Sequence, residues 1–287
     1  MKISKYIAKP SIHARKTSET SLNRRLVLSG LGGALFLSNC RTEPAIHAGL
    51  TAGETGRVQD VRDGDSLVLD TGLSVRLAAI EAPRKAWKQR EADAFGEEAA
   101  NALTFAAIGR KCQLFYGGLT RDKYARAIAH VFVENELGAM VWLNGAMISQ
   151  GCARVRSWAD NAARVRDLYS LEAKAREKKA GLWALPEYQL LSPNDLTSAP
   201  YGLAIVEGRV SHLSETLQAD SFCEAGNDGM LRLSLGLGLT RSDERLPIAV
   251  GNEIRVRSSS RRKKNAAGNY SGGAFLVPDH WGQFELI

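Results

Sequence analysis

From Gly56 the chain reads as short runs in which apolar residues alternate with polar ones: GRVQDV, SLVLD and LSVRLAAI, broken by Asp63-Gly64-Asp65 and by Thr71-Gly72. A period of two places every second side chain on one face, and Asp-Gly and Thr-Gly breaks are turn chemistry. The pattern predicts a meander of antiparallel strands. The period changes over residues 91–109 (EADAFGEEAANALTFAAIG), where Phe95, Ala99, Ala102 or Leu103, and Ala106 fall on one helical face and Gly109 ends the run. KCQLFYG and ARAIAHVFVE predict two more strands around the loop GLTRDKY, and residues 138–150 and 162–179 predict helices, the second stopped at Gly181. Strands first and helices after describe a small barrel packed by helices, an α+β arrangement.

Residues 184–203 lose all period and carry Pro186, Pro193 and Pro200 among Ser, Asn and Asp, the composition of a linker. Beyond it AIVEGRVSHL, MLRLSLGLGL, NEIRVRSSS, AFLVPD and QFELI read as strands with no comparable helical window. The predicted division is a first domain over 54–184, a linker over 185–203 and a smaller all-β, barrel-like domain over 204–287.

Charge alters this picture only at the start of the chain. The formal net charge of +7 invites a nucleic-acid reading, but eight Lys and Arg and two acids lie in residues 1–48, leaving 30 basic against 29 acidic residues in the remainder. Attraction for phosphate must therefore come from local patches. The same 48 residues place Arg24 and Arg25 before an apolar run, Leu26–Leu37, too short to span a bilayer. This resembles a twin-arginine export signal and predicts a periplasmic or extracellular protein; the alternative is a buried apolar helix with a basic lead-in. Two ends of the signal compete: lipid attachment at Cys40 in LSNC, tethering the protein to a membrane, or cleavage after Ala48. Past the leader only Cys112, Cys152 and Cys223 remain, and an oxidising compartment would allow one disulfide, with Cys112 and Cys152 the only pair inside one domain. Scattered cysteines and five isolated histidines predict no zinc site.

Five strings carry a family resemblance: VRDGDSLVL, VRLAAIEAP, FGEEA, TRDKYARAIAHVFV and LEAKAREKKAGLW, spread over residues 56–184. In this order and spacing they resemble the staphylococcal nuclease-like, or thermonuclease, family. The resemblance implies an OB-fold-type five-stranded barrel with packed helices, and a monomer that cleaves DNA or RNA with calcium. It implies calcium held by the carboxylates of Asp65 and Glu81 and the main-chain carbonyl of Ala82, oxygen donors that suit a hard cation. Read without the family, Asp63 and Asp65 are ordinary turn formers. It also implies Arg76 and Arg126 as a guanidinium fork on the scissile phosphate, and Lys123 and Tyr124 as the lining of the nucleotide site. Arg76 has an alternative as a salt bridge to a barrel acid, and Lys123 and Tyr124 as solvated loop residues.

Two positions depart from the family. Glu81 stands where Asp is usual, one methylene longer, and Arg84 stands where a Glu activates the attacking water. Arginine accepts no proton at ordinary pH, so hydrolysis requires a substitute base such as Glu91 or Asp93, or metal-bound hydroxide. Arg84, Lys85, Lys88 and Arg90 around Trp87 are either a solvated loop or a grip for a polyanion. Arg154, Arg156, Arg164 and Arg166 surround Trp158, a candidate stacking platform, although the family's aromatic positions do not coincide with it. The C-terminal strands are similar to a β-barrel extension of some bacterial nuclease-like proteins; there Arg255, Arg257, Arg261, Arg262, Lys263 and Lys264 form a basic stripe and loop that read as solvated or as a polyanion contact. Three functions remain open: a calcium-dependent phosphodiesterase, a nuclease-like binding module without turnover for nucleic acid or an envelope partner, and an envelope structural protein.

Overall fold

A computed structural model describes residues 47–196, 199, 202–241, 245–264 and 270–287. The leader, with Arg24, Arg25 and Cys40, lies outside the described residues, as do the side chains of Lys263 and Lys264. No described helix is long and apolar enough to cross a membrane.

The meander closes on itself. Strand β1 (Thr51–Asp63) bends so that Val58–Asp63 pair with β2 (Ser66–Leu69) while Thr51–Arg57 pair with β5 (Lys111–Tyr116). The intervening elements are β3 (Ser74–Leu77), the two-residue β4 (Ile80–Glu81) and helix α1 (Gly96–Ala107). Strand β6 (Ala127–Glu134) pairs antiparallel with β5 and parallel with β3, completing a five-stranded ring in the order β1-β2-β3-β6-β5, with β7 (Met140–Trp142) added to β6. This is the OB-type barrel that the resemblance implies. Its inward face is Val58, Leu67, Leu69, Val75, Leu77, Leu114 and Val131, all nearly inaccessible.

Helix α1 seals the barrel through Ala99, Leu103 and Ala107, spaced by four. It starts later than its sequence pattern suggests: residues 91–95 are loop, and Phe95 sits in the left-handed region at φ 66°. The predicted helix over 138–150 divides into β7 and α2 (Leu143–Ser149), because Met140–Trp142 pair with Phe132–Glu134. After β8 (Arg154–Val155), α3 (Val165–Glu177) presents Val165, Leu168, Glu172 and Ala175 inward, with Asp167 in its first turn and Lys174 and Arg176 in its last, as the helix dipole favours.

The proline-rich stretch packs rather than dangles. Tyr188, Pro193 and Leu196 are buried, α4 (Pro193–Leu196) forms, and Leu191 bonds on both sides of Val206 in the second barrel. That barrel consists of β9 (Gly202–Glu215), β10 (Phe222–Ala225), β11 (Leu231–Leu235), β12 (Glu253–Lys264) and β13 (Tyr270–Leu276), with α5 (Leu237–Thr240) after β11 and β14 (Phe284–Leu286) on β12. Its closed order, β9-β11-β10-β13-β12, has β9 and β11 parallel and is not a repeat of the first ring.

The two barrels fall in one compact unit and share a polar seam. Arg257 on β12 is about 1% exposed and lies among Glu172 of α3 (2.9 Å), Glu285 (2.6 Å) and the ring of Tyr169 (4.1 Å to its centre). Glu172 also accepts the Val155 N–H at 2.7 Å. Arg255 pairs with Glu207 and Glu285. Arg257 is thus a staple between the barrels and Arg255 an ion pair within the second, which corrects their reading as part of an exposed basic stripe. Cys112, Cys152 and Cys223 are buried free thiols, so the Cys112–Cys152 bridge allowed by spacing is not made; burial pushes the first two thiols up to about 11 and the third to about 12.

Candidate active site

The corner between β1 and β2 holds Asp65 against Arg76 and Ala82, three of the predicted residues. Asp63 Oδ1 accepts the N–H groups of Gly64 (3.1 Å) and Lys85 (3.0 Å), tying the loop after β4 to the turn. Burial raises its carboxyl above the usual range, and the neighbouring Asp65 adds to this. Asp65 is buried. Its Oδ1 accepts from Ser66 Oγ at 2.8 Å and from Arg76 Nη1 at 3.0 Å, and its Oδ2 accepts the Ala82 N–H at 3.2 Å. A side chain at Gly64 has no room, since a Cβ there would lie 2.7 Å from that of Ala82 and 2.8 Å from that of Ala99.

The register of β3 on β6 brings the strand of Arg76 beside the loop that carries Arg126. Val75 pairs with Ala127 and Arg76 with Ile128, and Arg126 lies in the loop immediately before β6, next to the partner of Val75. Arg76 is also the barrel salt bridge that its strand context suggested. Arg126 pairs with Asp122 at 2.7 Å; burial alone would raise that carboxyl, but the bonds from Arg126 and Tyr124 hold it below its ordinary value. Tyr124 is exposed, with Lys123 Nζ 5.0 Å and Arg126 Cζ 5.5 Å from its ring centre. The loop turns through Ala125 at φ 61°.

Glu81 on β4 is met by Arg156, which follows β8, the strand paired with β4. The Arg156 guanidinium also donates Nη2 to Ser259 Oγ of the second barrel at 2.8 Å and lies 5.2 Å over the Trp158 ring. Of the four arginines grouped around Trp158 in the sequence, Arg156 is the one stacked on it. Arg154 reaches Leu203 O and the Tyr188 ring, and Arg164 pairs with Asp167 over Trp142. The Glu81–Arg156 pair had no local signal, because its partners are 75 residues apart.

Arg84 is held by Asp93: Asp93 Oδ2 accepts from Arg84 N and Nε, both at 3.0 Å, and Oδ1 from Nη2 at 3.3 Å. These bonds overcome burial and keep the Asp93 carboxyl below its ordinary value, so Asp93 is committed to Arg84 and is not free to serve as the substitute base. Trp87 is 56% exposed in a tight loop closed by its own bridge to Arg90, whose Nη2 donates to Lys85 O at 2.7 Å.

The donor set suits calcium in chemistry: the carboxylates of Asp65 and Glu81 and the carbonyl of Ala82 are hard oxygens, and the bond from the Ala82 N–H to Asp65 holds the chain just after Glu81 against Asp65. Among the described residues no three His, Cys, Asp or Glu side chains gather into a cage. A cation here would share the site with two guanidinium groups, and at Glu81 it must displace Arg156.

Comparison with known proteins places these residues in context. A family model described as staphylococcal nuclease homologue matches residues 74–185. Protein ParB of Escherichia coli is 33% identical over 138 residues, covering 47% of this chain and 73% of that protein. The thermonuclease of Staphylococcus intermedius is 24% identical, over 46% of this chain and 77% of its own length. A probable endonuclease LCL3 of Verticillium alfalfae is 27% identical over 51% of each chain, so this chain spans about half of that fungal relative.

Proposed function

This chain belongs to the staphylococcal nuclease homologue family, and from that membership we propose that it hydrolyses phosphodiester bonds of DNA or RNA, slowly and with calcium. The observation that carries the reading is Arg76 paired to the buried Asp65 on a strand whose register sets Ala127, the residue after Arg126, beside Val75. Two guanidinium forks converging on a phosphate bind it through several N–H bonds and neutralise the charge that grows as a nucleophile adds. Asp65 orients Arg76, and Asp122 orients Arg126. Tyr124, exposed beside both Lys123 and Arg126, offers a ring face to the sugar or base. Asp65, Glu81 and the Ala82 carbonyl would hold calcium, which when bound polarises the phosphate and its attacking water. Arg84 occupies the family's base position and Asp93 is paired to it, which leaves Glu91 or metal-bound hydroxide to take the proton of that water; loss of a general base slows such reactions by about 10² to 10⁴. The leader supports export to the periplasm or beyond, with a lipid on Cys40 as one end-state; fractionation of cells making the full chain tests this.

A second reading, binding without turnover, is favoured by one observation: Arg156 already neutralises Glu81, while Arg84 adds a cation where the family has an acid. Digestion of single-stranded DNA and RNA, with calcium and with chelator, separates the two. Calcium-dependent cleavage that Asp65→Ala abolishes supports hydrolysis. Undiminished binding with no cleavage, and cleavage gained by Arg84→Glu, supports the binding module.

A further inference from the structure

Beside Arg156 the two barrels enclose a cavity of about 240 Å³ to which the phosphate clamp assigns no role. It is lined from the first barrel by Arg156 and Trp158, and from the second by Ser259, Arg261, Asp220 and Asp279, among others. Arg156 joins it to the catalytic corner, since the same guanidinium touches Glu81 and Ser259. Arg261 is exposed and makes no ion pair among the described residues.

The lining narrows the ligand. A simple anion meets two carboxylates, a simple cation meets Arg156 and Arg261, and an apolar ligand meets mostly polar walls. A single nucleotide uses all three elements: its base stacks on an indole, exocyclic amino groups donate to carboxylates, and its phosphate takes guanidinium bonds. The volume lies below the roughly 300–1,000 Å³ of pockets for whole drug-sized ligands, which suits one residue of a longer strand.

We propose that this seam cavity is a nucleotide subsite, in which Trp158 stacks a base flanking the clamped phosphate and Arg261 holds the next phosphate, so that the second barrel extends the nucleic-acid track. The proposal rests on nucleic acid being the ligand of the first barrel. It is tested on the full chain in chelator, so that no turnover intrudes, by fluorescence anisotropy with a short labelled single-stranded oligonucleotide and an abasic oligomer of equal length. Trp158→Leu and Arg261→Ala each weaken binding of the oligonucleotide by about tenfold. Trp158→Phe restores most of it, and the wild-type protein binds the abasic oligomer as weakly as Trp158→Leu binds the intact one. Unchanged binding in Trp158→Leu and Arg261→Ala, with Arg76→Ala still weakening it, overturns the subsite and leaves the clamp standing. Absence of binding by the wild-type protein overturns both.

Discussion

At the scale of single residues, the corner shows how cations can crowd a site whose sequence reads as acidic. Arg84 was legible in the sequence as a misplaced residue, because its position is fixed by the adjacent RLAAIEAP string. Arg156 was not, because contact with Glu81 depends on β4 pairing with β8 rather than on local spacing. Arg156→Ala removes the cation that competes at Glu81, and the expected result in calorimetric titration is tighter calcium binding than in the wild-type protein. His130 gives a second residue-scale prediction. Burial, aided by the charge of Arg164 and opposed by Asp167, lowers its imidazole from 6.5 to about 4. The unfolded chain therefore binds a proton between these values that the folded chain refuses, and stability falls as pH drops from 6.5 toward 4, by about 3 kcal/mol in full. Urea unfolding from pH 7.5 to 4.5 is expected to show this slope, flattened in His130→Leu.

At the scale of elements, the strands of the first ring were legible because inward positions alternate with outward ones around turns whose chemistry is explicit. The start of α1 was not: residues 91–95 keep helical composition, yet Asp93 accepts from Arg84 and Phe95 turns left-handed, so tertiary bonds override propensity. The first turn of α1 is pressed against the loop it stabilises. A Cβ on Gly96 would lie 2.2 Å from the Arg84 carbonyl oxygen, while Glu97 Oε1 accepts the Ala86 N–H at 3.0 Å. Gly96→Ala must push helix and loop apart, with an expected cost of about 1–3 kcal/mol in denaturant unfolding. The parallel pairing of β9 with β11 left no trace in the alternation, because period two records faces and not neighbours.

At the scale of the whole molecule, the seam explains why arginines that looked like a surface stripe are not one. Alternation along β12 puts Ile254 and Val256 on one face and Arg255 and Arg257 on the other, and a sequence reading gives the second face to water; instead Arg257 is buried against Glu172 of the first barrel, and Arg255 pairs with acids of its own barrel. Arg257→Met leaves Glu172 buried with its charge uncompensated, an expected loss of about 3–5 kcal/mol. Arg257→Met with Glu172→Gln recovers part of it, since the Val155 N–H keeps an acceptor. Calorimetry is expected to show one unfolding transition for the wild-type protein and two for Arg257→Met, as the barrels lose their common staple. Ring closure has a consequence of its own. The strands that terminate the two sheet orders, β7 and β14, are three residues long. At β7 and β14 a foreign strand seeking unpaired backbone finds a ladder of three residues, and short edges are one way natural sheets avoid growing into one another. Contacts between native copies through these two strands must then be made by side chains, and crowding the folded protein is not expected to seed fibres from them.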